Sequence, residues 1–151
     1  MLICIGADHR GFKLKNSIIE FLKQEGYETE DLGNSQYDES DDFPDFAILV
    51  ARRVKEFSAS GGSKGILICG TGAGMDMVAN KVEGIRSVLG FSTNQVFDSR
   101  QGDDVNILSL PADFVDQETA FEIVKVFLRT PFSGELKHKR RIEKISKIEL
   151  E

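Results

Sequence analysis

Cysteine is scarce in this chain. Only Cys4 and Cys69 occur, in no spacing that suits a disulfide framework or a metal site. Both fall in apolar runs that read as parallel strands of one sheet, so a reducing, cytosolic setting is expected. Long apolar runs are lacking too, and the start Met1-Leu2-Ile3-Cys4-Ile5-Gly6 carries no basic leader. Neither a membrane span nor a signal peptide is expected, which makes the chain a cytoplasmic protein without a membrane partner. Net positive charge is absent: the formal charge is −6, which argues against a nucleic-acid backbone as partner. No phosphate-binding loop of the G-x-x-x-x-G-K-[ST] type occurs. Gly70 and Gly72 begin a G-x-G, but Met75 stands where a dinucleotide fingerprint needs its third glycine. That loop also follows the third strand, whereas the fingerprint opens the first βα turn.

What is present is a regular alternation. The 151 residues suffice for one domain with a sizeable core, spanning residues 1–151. Leu2 to Gly6 reads as a strand, and Phe12, Leu14, Ile18, Ile19 and Leu22 follow helical spacing up to Gly26. Tyr27 to Leu32 is a second strand. An acidic loop, Asp38 to Asp42, leads to a helix opened by Pro44. Ser58 to Lys64 is a glycine and serine turn before a strand that ends at Cys69. A helix over Met75 to Lys81, a strand over Gly84 to Leu89 and a helix from Thr93 to Ser99 follow. Val105 to Leu110 is the fifth strand, and Asp116 caps a helix reaching Leu128. A charged helix over Leu136 to Ile148 closes the chain, with Leu136, Ile142, Ile145 and Ile148 available to bury on its own subunit or a second one. Repeated βα units predict a parallel sheet with helices on both faces.

The segment Ile66-Leu67-Ile68-Cys69-Gly70-Thr71-Gly72-Ala73-Gly74 carries the most chemistry. It places a thiol at the carboxyl end of a strand, in the crevice where open α/β sheets bind ligands. A helix start offers free N–H groups and a positive dipole end, which can favour a thiolate and can hold an anion. A cysteine base facing an anionic substrate and a buried cysteine beside a structural turn both fit. Asp8 and His9 end the first strand at the same edge, as ligand contacts or as capping and surface residues. Asp42-Phe43-Pro44-Asp45 either belongs to that edge or complements a helix dipole. Lys137, Lys139, Arg140 and Arg141 form a local basic cluster, an anion site or a solvated helix face. Cys4 reads as core.

Taken together these stretches resemble the ribose-5-phosphate isomerase B and galactose-6-phosphate isomerase family. Gly6-Ala7-Asp8-His9-Arg10-Gly11-Phe12-Lys13-Leu14-Lys15, Asp42 to Ala47, Ile68 to Gly74, Ala79-Asn80-Lys81, Gly84-Ile85-Arg86 and Lys137-His138-Lys139-Arg140-Arg141 carry the likeness in order, over nearly the whole chain. The resemblance implies a Rossmann-like three-layer α/β/α sandwich with a five-stranded parallel sheet and a C-terminal helix. It also implies a homodimer or tetramer with shared active sites, and neither metal nor nucleotide cofactor. The implied chemistry interconverts an aldose phosphate and a ketose phosphate, ribose 5-phosphate and ribulose 5-phosphate in the first instance, through a cis-enediolate. Carried over by position, Cys69 would move the proton between C1 and C2, and Thr71 would assist at the substrate oxygens. Amides from Gly70, Gly72 and Gly74 would hold the oxyanion. Asp8 would bind sugar hydroxyls, and His9, Lys137 and Arg141 the phosphate. Lys137 stands where arginine is usual and lacks its bidentate fork.

The departures from the family pattern fall in the site. Arg-x-His-Asn-Asp-x-Asn becomes Arg100-Gln101-Gly102-Asp103-Asp104-Val105-Asn106, which leaves Gly102 where the ring-opening histidine is usual and Asp103 beside it. Gly-x-Arg becomes Pro111-Ala112-Asp113, and Asp76 stands where serine is usual. Asp76, Asp103 and Asp113 are expected to place negative charge near an anion, at ~4 kcal/mol for a like-charge pair about 4 Å apart in a dielectric near 20. Three readings accommodate this. Asp103 or His138 serves in ring opening, or ring opening is left to solution. Alternatively the chain is the cysteine-bearing subunit of a hetero-oligomer acting on a six-carbon sugar phosphate, galactose 6-phosphate or allose 6-phosphate. The last is a non-catalytic sugar-phosphate binding protein.

Overall fold

A computed structural model describes residues 1–58 and 62–151. Five strands form one wholly parallel sheet in the order β2-β1-β3-β5-β4. They are β1 (Leu2–Ala7), β2 (Glu28–Asp31), β3 (Ser63–Cys69), β4 (Ser87–Leu89) and β5 (Ile107–Pro111). Six helices connect and follow them: α1 (Phe12–Gln24), α2 (Phe43–Ser58), α3 (Ala73–Ala79), α4 (Thr93–Asp103), α5 (Gln117–Arg129) and α6 (Leu136–Ile148).

Strand alternation divides the core in two. Ile3, Ile5, Ile66, Ile68, Leu108 and Leu110 face α1, α4 and α5, where Ile18, Leu22, Val96, Ile123 and Phe127 meet them. Cys4, Leu67, Cys69 and Ile107 face α2 and α3, against Ala47, Val50, Val54, Met75 and Ala79. Both faces of the central strands are thus buried, which is why β1, β3 and β5 read as apolar runs instead of alternating ones. The architecture is the three-layer α/β/α sandwich expected. Among the described residues no helix is long and apolar enough to cross a membrane.

Several boundaries differ from those the sequence predicts, each for a local reason. Helix α3 begins at Ala73, two residues before Met75, because Gly72 takes the left-handed conformation (φ 72°) that turns the strand into the helix. It ends at Ala79, where Asn80 closes the last turn with its N–H on Asp76 and Val78 carbonyls. Strand β4 starts only at Ser87, since Gly84 turns at φ 78° and the Arg86 N–H goes to the Asn106 side chain at 2.8 Å. Helix α4 runs on past Ser99 through Asp103. Its last turn is held by buried Arg100, which donates to the carbonyls of Thr130 at 3.0 Å and Val105 at 2.6 Å. Apolar spacing carries no trace of such a polar anchor. The turn predicted over Ser58 to Lys64 lies partly outside the described residues; Ser58 closes α2, and Ser63 and Lys64 already belong to β3.

Helix α6 lies beyond the sheet and touches α4. It buries none of its residues, and Leu136, Ile145 and Ile148 stay exposed.

Candidate active site

Strands β1 and β3 are neighbours, yet the chain leaves them in opposite directions along the sheet, to β2 on one side and to β5 and β4 on the other. Their carboxyl ends therefore open a crevice with no crossover above it, the place where α/β sheets of this kind take ligands. Asp8, His9, Cys69 and the Gly70 to Gly74 loop are all there.

Cys69 ends β3 with its side chain on the α2 and α3 face. It is 5 % exposed, and its Sγ accepts the Gly72 N–H at 3.1 Å. The bend that bond requires is the one the left-handed Gly72 supplies. Of the amides expected to serve an oxyanion, Gly72 is thus spent on the sulfur, and the Ala73 N–H points to Thr71 Oγ1 at 3.4 Å. Thr71 itself is exposed at the crevice mouth. Cys4, the other thiol, is fully buried and pushed up to about 11 by that burial, which keeps it an inert core residue.

Asp8 is buried, and its Oδ1 accepts the Gly11 N–H at 3.0 Å. Burial pushes its carboxyl above the ordinary range, opposed by that bond. His9 is clamped by Asp41, whose Oδ1 accepts the His9 N–H at 3.0 Å and meets Nδ1 at 2.7 Å. The hydrogen bond to Asp41 raises the imidazole above its usual value, favouring the charged form. Asp41 also accepts from Asn34 Nδ2 at 2.8 Å. The segment carrying both is tied down by Lys15, fully buried, whose Nζ reaches Asp31 at 2.7 Å and the Asn34 carbonyl at 2.8 Å. Asp8, His9 and Asp41 also offer three ligand atoms within 4.8 Å of one another, with His9 Nδ1 already hydrogen-bonded inside that group.

Two residues of this edge escaped the sequence reading. Asp41 lies 32 positions from His9 and looked like one of several loop acids. Arg10 lies so closely over the glycine loop that a Cβ at Gly70 would stand 2.1 Å from its Cζ. Its guanidinium pairs with Asp113. The Asp113 N–H in turn reaches the Gly70 carbonyl at 3.0 Å, so the segment after β5 is stitched to the segment after β3. Phe43 also has a packing role, its ring filling the space above Gly74.

The three acids expected to place negative charge near an anion have different surroundings. Asp113 is matched by Arg10. Asp76 turns beneath α3 to accept the Ser87 hydroxyl at 2.7 Å, beside buried Ser109, and burial raises its carboxyl. Asp103 is exposed in the last turn of α4, at the other edge of the sheet. That turn precedes Ile107, which pairs with Gly65, four residues before Cys69; the strand rise sets this at ~13 Å from the thiol along the sheet. Lys137 and Arg141 belong with it. They share one face of α6 at i, i+4 spacing, Lys137 pairing with Glu135 at 2.9 Å. Arg141 has no ion pair among the described residues. One chain therefore gathers Asp8, His9, Cys69, Thr71 and the glycine loop, and holds Asp103, Lys137 and Arg141 apart from them.

A family model described as Ribose/Galactose Isomerase matches residues 3–145. The chain belongs to that family. The probable ribose-5-phosphate isomerase B of Mycoplasma genitalium is 44 % identical over 149 residues, covering 99 % of this chain and 96 % of the relative. Ribose-5-phosphate isomerase B of Mycobacterium tuberculosis is 38 % identical over 99 % of this chain and 90 % of its own length. Among solved structures, the Mycoplasma genitalium isomerase B with bound ribulose 5-phosphate superposes with a TM-score of 0.94 at 44 % identity, over 99 % of this chain and 97 % of that one. The Clostridium thermocellum isomerase B gives 0.93 at 42 %, over 99 % and 98 %.

Proposed function

We propose that the chain interconverts ribose 5-phosphate and ribulose 5-phosphate through a cis-enediolate. The observation that carries this reading is the full-length likeness to an isomerase B holding ribulose 5-phosphate. The thiol and glycine loop at the β1–β3 crevice supply the chemistry such a reaction needs. Cys69 takes the proton from C2 of the open-chain aldose and returns it to C1. Thr71, at the crevice mouth, passes the proton between O1 and O2. The amides of the Gly70 to Gly74 loop not already engaged hold the enediolate oxygen, where one preorganised donor is often worth ~3 kcal/mol. Asp8 binds sugar hydroxyls, while charged His9 attracts the phosphate.

A single chain keeps its C-terminal cations and its thiol at opposite edges of the sheet. We take the active assembly to be a homodimer or higher oligomer in which α6 of one protomer, with Lys137 and Arg141, completes the crevice of the next. The exposed Leu136, Ile145 and Ile148 on α6 suit such a contact. A thiol base also requires a reducing compartment, in keeping with a cytoplasmic protein and two unpaired cysteines.

The deciding experiment is proton NMR of ribose 5-phosphate in deuterium oxide with the wild type and Cys69→Ala. Formation of deuterated ribulose 5-phosphate, lost in the variant, is the expected result. Absence of both product and exchange with the wild type would exclude this pentose phosphate and turn attention to six-carbon sugar phosphates or a partner subunit.

A further inference from the structure

Proton transfer at C2 needs a free aldehyde, yet a pentose 5-phosphate is held mostly as a furanose. Opening it moves one proton from O1 to the ring oxygen, and both atoms are bonded to C1, so a single acid–base group can serve both. Imidazole suits the task at neutral pH. The chain has two histidines. His9 is committed to Asp41 through both its backbone and its ring, and Asp41 favours its charged form.

His138 is placed differently. It sits half-buried in the first turn of α6, beside Lys137 and on the helix that carries Arg141. Its Nδ1 is fixed by the Ser133 hydroxyl at 2.6 Å, and that hydroxyl also receives the Glu135 N–H at 3.3 Å. Its Nε2 reaches the α4 terminus. Among the described residues outside its own helix backbone and chain neighbours, the atom within 4 Å of a Cβ built at Gly102 is His138 Nε2, at 3.9 Å. The glycine thus leaves a space that faces an imidazole nitrogen, which makes no hydrogen bond among the described residues. Asp103, next along, is exposed, and its hydrogen bond is through its backbone carbonyl to Arg86 Nε at 3.1 Å, with no partner for its carboxylate among the described residues.

We infer that His138 opens the furanose ring of the sugar phosphate, acting from the space left by Gly102. The inference rests on the isomerase reading above and on α6 reaching the crevice of a second protomer. As the imidazolium, Nε2 gives its proton to the ring oxygen while the bond from C1 to that oxygen breaks and its electron pair stays on oxygen. The O1 hydroxyl then loses its proton to the vacated Nε2, and its bonding pair completes the carbonyl. The imidazolium is restored, one proton has passed from O1 to the ring oxygen, and no charge is left over. Ser133 keeps the ring from turning between the two transfers.

The test separates ring opening from isomerisation. With Cys69→Ala, which cannot move the C2 proton, two-dimensional exchange NMR follows the interconversion of the two ribose 5-phosphate anomers, which proceeds through the open chain. Cys69→Ala should speed anomer exchange above the buffer rate. Adding His138→Gln should cut that acceleration by about 100-fold while calorimetry still shows ribose 5-phosphate binding. His138→Asn, which keeps a hydrogen bond to Ser133, replaces it should glutamine disturb the helix start. Undiminished exchange in the double variant would overturn the assignment, as would no acceleration by Cys69→Ala itself. Failure of the isomerase reading shows separately, as no ribulose 5-phosphate formed by the wild type.

Discussion

Arg10 and Asp113 form an ion pair that closes over the backbone of Gly70, next to the thiol of Cys69. In this family member an acid after β5 thereby serves as the partner of a cation after β1. Both side chains are half-exposed, so the pair adds little to stability, in the range of 0–1 kcal/mol typical of surface pairs. Its consequence is electrostatic. Asp113→Asn leaves Arg10 as an unbalanced cation beside the glycine loop. The expected outcome is a KM for ribose 5-phosphate lowered by ~3-fold with little change in melting temperature, because a surface charge acts through a screened field. A raised KM would mean that Arg10 needs Asp113 to hold its place.

His9 and Asp41 give the site a pH dependence whose sign can be worked out. Asp41 raises the imidazole above its ordinary 6.5. The charged histidine proposed to attract phosphate is therefore kept into more alkaline solution than an isolated imidazole would allow, and is lost as pH rises through the folded value. The same pair stabilises the fold fully below 6.5 and ceases to do so above the folded value. Asp41→Asn removes the cause, so the alkaline rise in KM should move to lower pH. A profile of KM against pH for both proteins checks this, and an unmoved profile would remove His9 from phosphate binding.

The fold was legible because it is written in apolar runs: β1, β3 and β5 are buried on both faces and stop at Ala7, Cys69 and Pro111. The edge proposed to hold the site was legible for the same reason, since topology alone brings the ends of β1 and β3 together. What escaped was polar and long-range. Asp41 meets His9 across 32 positions, Arg10 meets Asp113 across 103, and Arg100 anchors the last turn of α4 through carbonyls. No periodicity marks such pairs. The partners of Asp76 and Asp113 escaped likewise, since counting charges does not show that a serine or an arginine already engages them.

Lys64 is a cation that the fold accommodates at a cost. Burial pushes it down to about 8, aided by the nearby Arg100 and Arg86 charges and opposed by Asp104. Its folded value lies below the unfolded 10.5, so the unfolded chain binds more protons between the two, and stability should rise as pH climbs from about 8 towards 10.5. Lys64→Met keeps the alkyl stem over Phe127, whose ring centroid is 5.3 Å from Nζ, and removes the charge. We expect it to stabilise the protein by roughly 1 kcal/mol at pH 7, after allowing for the solvent that still reaches the side chain. Urea unfolding of both proteins at pH 7 and pH 10 measures it; a destabilised variant would mean that Asp104 holds the ammonium favourably.

The separation of Cys69 from Arg141 within one chain leads to a mixing experiment. Cys69→Ala spoils one edge of a protomer and Arg141→Ala the other. If each crevice is completed by α6 of a second protomer, a mixed dimer rebuilds one intact site from Cys69 of one chain and Arg141 of its partner, and leaves the second site doubly damaged. Random pairing makes half the dimers mixed, so co-refolding equal amounts should recover about a quarter of wild-type kcat/KM for ribose 5-phosphate. If each site were built within its own chain, no combination could restore one, and activity would stay at the mean of the two variants. Assaying at low substrate sharpens the contrast, because loss of the arginine proposed to bind phosphate acts there on kcat/KM in full.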